Sequence, residues 1–169
     1  MPPNSTVAIG VAVVACVFDL HSRRIPNLLT LGAAGAALVL AAAHGLPSFQ
    51  SSLIGWLTGL VLWLPVYALG GMGAGDVKLM AALGAWLGPL DAVNAALYAG
   101  VVGGLMALAV AIVHGYMREA CANIRLLVTH WYVVGVSPQR QLTLEGTRGP
   151  RLAYALPTLV GTAVAVWFR

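Results

Sequence analysis

The sequence predicts an all-α, polytopic membrane protein with six spanning helices and its N-terminus outside. Three observations carry that prediction. First, 60% of the 169 residues are hydrophobic and only 8% are charged, where a soluble domain has roughly a quarter charged residues. Second, the apolar residues fall into runs near the length that crosses a bilayer. Third, the basic residues gather in alternate breaks between those runs. The whole chain, 1–169, reads as a single membrane domain.

The elements follow in order. Residues 4–20 form the first run. No Lys or Arg precedes it, and Arg23 and Arg24 follow it. That order predicts a retained first helix rather than a cleaved signal. The turn 21–26 (HSRRIP) is short and basic. In it, Pro26 suits an early helical turn and Asn27 suits a cap for the second helix, 27–44. A neutral turn, 45–50 (GLPSFQ), leads to the third helix, 51–70. Residues 70–76 form a glycine loop before the fourth helix, 77–90, which is short for a span. Gly88-Pro89-Leu90-Asp91 reads as a turn with Asp91 capping the fifth helix, 92–115. The long polar segment 116–151 precedes the last helix, 152–168. Within it, MREACANIRLLVTHWYVVGVS predicts an interfacial helix on the inner leaflet.

Orientation follows from the arginines and the lysine. With the N-terminus outside, the cytoplasm receives Arg23, Arg24, Lys78, Arg118, Arg125, Arg140, Arg148 and Arg151, and only Arg169 is outside. The reverse topology leaves one basic residue inside, so the first is expected. GxxxG pairs occur at Gly55/Gly59, Gly84/Gly88 and Gly100/Gly104. They permit close helix packing but are common in membrane chains.

The five acids sort by side. Asp91 falls at an outer turn, and Glu119 and Glu145 fall among arginines of the 116–151 segment. Asp19, at the inner end of the first helix, and Asp76, at the inner entry of the fourth, are left at similar depth. Two carboxylates brought together cannot both ionise easily. One can then take a proton from water while the other donates one to a scissile carbonyl. Simpler readings stand beside this one. Asp76 suits an N-cap, and Asp19 suits a pair with Arg23 four residues on. A non-enzymatic transporter or assembly scaffold, with acids that carry protons or bind partner helices, is the alternative function.

Other chemistries find little support. Cys16 and Cys121 form no CxxC pair. The four histidines show no HExxH spacing, and no GxSxG is present. No metal, cofactor or nucleic-acid partner is expected.

Two stretches carry a family resemblance. Gly73-Ala74-Gly75-Asp76-Val77-Lys78-Leu79 is a GxGDxKL motif. Asp19-Leu20-His21-Ser22-Arg23-Arg24-Ile25-Pro26-Asn27 resembles the D-x-x-x-R-x-I-P-N stretch of type IV prepilin peptidases. Tyr154-Ala155-Leu156-Pro157, followed by Gly161, resembles that family's last helix. The resemblance implies a membrane aspartic protease with catalytic Asp19 and Asp76. The implied substrate is a prepilin or pseudopilin, cut after a glycine at the cytoplasmic side to remove a short basic leader. Gly73, Gly75, Lys78, Pro26 and Asn27 are then candidates for the substrate-binding loop, with Lys78 equally suited to anchoring the topology. Longer members carry an N-terminal region with paired CxxC motifs and also methylate the new N-terminus. This sequence starts on a helix without CxxC, so methyltransferase activity is not expected. The short form resembles the Tad/Flp pilus type, placed in a bacterial inner membrane. Oligomeric state is not readable.

Overall fold

The structure, a computed structural model, describes residues 3–115, 117–135 and 153–168. Among the described residues there are seven helices and no strand. They are α1 (Pro3–Ser22), α2 (Asn27–Ala43), α3 (Leu46–Ala68), α4 (Ala74–Leu87), α5 (Pro89–Val113), α6 (Met117–Val134) and α7 (Ala155–Trp167).

Three of them, α1 from Asn4, α3 and α5, are long and apolar enough to cross a membrane. The apolar helices α2 and α7 are shorter. With 14 residues, α4 is about 21 Å long, less than the roughly 30 Å of a hydrocarbon core. It need not meet lipid. It packs against α1, α2, α3, α5 and α7, and every residue from Leu79 to Leu87 is buried. Apolar side chains cover the outside instead. Val17, Val39, Val61, Leu97, Val101 and Leu105 are all exposed. So continuous an apolar surface is what a lipid environment selects.

Several boundaries differ from those the sequence predicts. The neutral turn 45–50 shrinks to Gly45, whose φ of 103° only glycine adopts freely. Residues 46–50 are the first turn of α3, with Pro47 at its start, where a missing N–H costs nothing. The glycine loop is shorter too. Gly75 and Asp76 lie inside the first turn of α4. Gly88 alone (φ 85°) separates α4 from α5 and serves as the N-cap of α5. Asp91 is therefore not the cap; it is buried in the first turn of α5. Likewise Asn27 does not cap α2. Pro26 holds the N-cap position with extended backbone, and Asn27 is the first helical residue. An amphipathic helix, α6, occupies the predicted interfacial stretch and is exposed over most of its described length. Of the polar segment 116–151, residues 116 and 136–151 lie outside the described residues.

Glycines set how closely α3 and α4 approach. A Cβ on Gly59 would overlap the carbonyl of Met80, and one on Gly55 would overlap the carbonyl of Gly84. A Cβ on Gly161 of α7 would overlap backbone of Ala95 and Ala99 in α5. Two of the three GxxxG pairs are thus in contact with each other. Around Gly100 and Gly104 the same addition meets nothing.

Candidate active site

The C-terminal end of α1 and the N-terminal ends of α2, α4 and α7 meet at one end of the bundle. Each brings one part of the candidate site.

Asp19 occupies the last turn of α1 and is only 8% exposed. A buried carboxylate needs a donor. The main-chain N–H of Ala155, at the start of α7, donates to Asp19 Oδ2 at 3.2 Å. Helix α1 then stops at a left-handed Arg23 (φ 55°) whose N–H donates to the Asp19 carbonyl. Ser22 Oγ lies 2.8 Å from the Phe18 carbonyl and 3.1 Å from the Arg24 carbonyl, which share its single hydrogen. These bonds turn the chain sharply into Ile25 and Pro26.

Asp76 sits in the first turn of α4, ahead of the apolar stretch and outside the three long helices. Its backbone N–H donates to the Gly73 carbonyl at 3.2 Å. In return Gly73 N–H donates to Asp76 Oδ2 at 3.3 Å. This reciprocal pair is the side-chain half of a capping box, so Asp76 helps start its own helix from the third position. Its carboxyl is pushed up to about 6. Burial is the main cause and the charge of Asp19 the second, while the Gly73 N–H pulls the other way. The structure therefore brings Asp19 and Asp76 near enough to act on one another.

Burial, and second to it the Asp76 charge, push up the hydroxyl of Tyr154, just before α7. Its ring packs edge-on against Trp63 of α3, with centroids 5.9 Å apart and planes at 88°. Gly103 of α5 leaves room for the ring edge. Tyr154 and Ala155 are the site residues that sequence reasoning missed as such. Ala155 acts through its backbone, which no residue type advertises. A tyrosine at the mouth of an apolar run, three residues before a proline, was the available signal.

The remaining predicted residues divide. Lys78 Nζ donates to Asn27 Oδ1 at 2.9 Å, and Gly75 lies against the Ile25 side chain. Gly73 faces Asp76, and Pro26 forms the N-cap of α2. Among the described residues no group of three or more His, Cys, Asp or Glu is arranged to hold a metal ion. Cys16 is buried and Cys121 exposed, both as free thiols.

The model of the type IV leader peptidase family matches residues 6–108, which include Asp19, Asn27, Gly73, Asp76 and Lys78. The chain belongs to that family. It is 34% identical over 99 residues to a type 4 prepilin-like proteins leader peptide-processing enzyme of Escherichia coli O78:H11, covering 54% of this chain and 37% of that one. A prepilin leader peptidase/N-methyltransferase of Aeromonas hydrophila is 40% identical over 85 residues, 46% of this chain and 29% of that one. The corresponding protein of Pectobacterium carotovorum subsp. carotovorum is 30% identical over 139 residues, 78% of this chain and 48% of that one. This leader peptidase family member therefore spans half or less of the length of these curated relatives. No solved structure matches it.

Proposed function

We propose that this protein is a membrane aspartic endopeptidase that removes the short basic leader of type IV prepilins or pseudopilins, of the Tad/Flp kind. What supports the reading is that Asp19 and Asp76, 57 positions apart in sequence, stand at helix ends gathered at one end of the bundle, close enough for the charge of Asp19 to raise the Asp76 carboxyl, inside the region matched by the leader peptidase family. The relatives, named as prepilin leader-processing enzymes, suggest the substrate class.

The chemistry is that of two coupled carboxylates. One, ionised, takes a proton from a water held between them. The other, protonated, donates to the carbonyl oxygen of the scissile peptide as the water attacks. The pair titrates as a unit, so neither residue owns one role. An Asp76 carboxyl that keeps its proton to about pH 6 suits a pair sharing one proton. The reaction lies on the cytoplasmic side in this reading. Its supports are the arginine distribution and the gathering of the relevant helix ends at one end of the bundle. The substrate enters as an apolar helix with a basic leader ahead of it.

The test is cleavage of a leader-bearing prepilin by purified protein in detergent. Asp19→Asn and Asp76→Asn should each reduce the rate by at least about a thousandfold while the protein still inserts and purifies. Wild-type rates in either variant would discard the dyad. A wild-type protein that cuts no leader-bearing substrate would favour the transporter or scaffold alternative.

A further inference from the structure

The two motifs touch away from the aspartates. Lys78 and Gly75 are three residues apart on α4, so they share one face of the helix. Asn27 and Ile25 flank Pro26 in the turn between α1 and α2. The contacts match pairwise. Lys78 Nζ donates to Asn27 Oδ1 at 2.9 Å. A Cβ on Gly75 would lie 3.3 Å from Ile25 Cβ, so the glycine lets the two segments close together. Asp76 points elsewhere. It precedes Lys78 by two residues, about 200° around a helix of 3.6 residues per turn, and such neighbours do not face each other. The ammonium is therefore directed to Asn27 and not to the Asp76 carboxylate.

This arrangement decides the rotation of the first turn. Deeper along α4, the glycine seam with α3 holds the helix by backbone contact. At its start the polar bond and the Gly75 contact act on one face, while Asp76 lies about 100° to 160° around from that face. A small roll of the turn would swing Asp76 away from Asp19.

We infer that Lys78 is a positioning residue, which clamps the first turn of α4 to Asn27 and so aims Asp76 at Asp19. It acts through the turn and does not touch substrate. The inference rests on the peptidase reading for its effect on rate, but the clamp itself is measurable without it.

The experiment is a double-mutant cycle with Lys78→Met, Asn27→Ala and the pair together. It is read by kcat and KM on a synthetic prepilin peptide with a basic leader ending in glycine, and by the thermal midpoint in detergent. Each single variant should lower kcat by about tenfold, the size expected for one charged hydrogen bond at a partly open site, with KM unchanged. The double variant should be no worse than either single one. Asn27→Asp, which keeps the acceptor, should hold wild-type kcat. A raised KM with intact kcat in Lys78→Met would overturn the inference and make Lys78 a substrate contact. Additive losses in both kcat and midpoint would also overturn it. If the wild type cuts nothing, the peptidase reading and the positioning role fall together. Non-additive midpoints would then still show that the clamp exists.

Discussion

The two ends of α4 are held by different physics. From Leu79 to Leu87 the helix is wholly buried, and its place is set by glycine backbones that admit no side chain. Its first turn is half-buried and polar. There Gly73, Asp76, Lys78 and Asn27 exchange directed hydrogen bonds. Steric contact at one end fixes depth, whereas polar contact at the other fixes direction. The proposed pair of acids would need both. The difference also says what each end tolerates. The seam resists added volume, and the first turn resists lost donors and acceptors.

The largest effect should come from adding volume at the seam. Gly59→Leu places atoms where the Met80 carbonyl already lies, and backbone cannot yield as a flexible side chain can. Folded protein should be lost, seen as absence of a monodisperse peak in detergent. Gly104→Leu, whose Cβ meets nothing, should purify normally. If both variants behave alike, the seam does not hold α4.

Next comes Gly75→Leu. A Cβ there presses on Ile25 at 3.3 Å, and the rest of the leucine must push the α1–α2 turn aside. The protein should fold, because the seam is untouched, yet lose roughly a hundredfold in kcat, the scale of a misplaced catalytic group. Unfolding instead would erase the distinction between the two ends.

A smaller change tests the far end of α4. The Ala85 carbonyl lies in the last turn of α4, where the break at Gly88 leaves it no helical N–H. Ser52 Oγ supplies a donor at 2.8 Å in a buried position. Ser52→Ala should cost about 2 kcal/mol of stability, the range for a buried carbonyl left unsatisfied, read as a lower thermal midpoint. Cleavage per folded molecule should stay unchanged.

The smallest effect concerns pH. With its carboxyl raised from 3.8 to about 6, Asp76 keeps its proton in the folded protein after the unfolded chain has lost it. Stability from this group is therefore intact below about pH 4 and declines as pH rises to about 6, then levels. Asp76→Asn should remove that decline from the midpoint-versus-pH curve. A decline of unchanged size in the variant would assign it to other groups.

Much of the fold was legible beforehand. Composition and apolar runs predicted an all-α chain with helices apolar enough to cross a membrane, and the sequence singled out Asp19 and Asp76, which stand at helix ends gathered at one end of the bundle. Glycine spacing alone did not say which pairs would be used, because Gly55 and Gly84 matter only through each other. Residues 45–50 read as a turn, since Gly, Pro and Ser favour turns locally. Packing of α3 against α2 and α4 recruited them into helix.

By itself, the sequence determined the apolar character of the chain and most of its helices, because hydropathy and charge are properties of residues one at a time. Only the tertiary structure decided what holds each acid. Asp19 is held by the main chain of Ala155, and the turn carrying Asp76 is held by Gly73 and by Lys78 on Asn27. A backbone N–H is identical in nearly every residue, and a lysine's partner depends on which element arrives beside it. Such contacts exist only once helices from distant parts of the chain have come together.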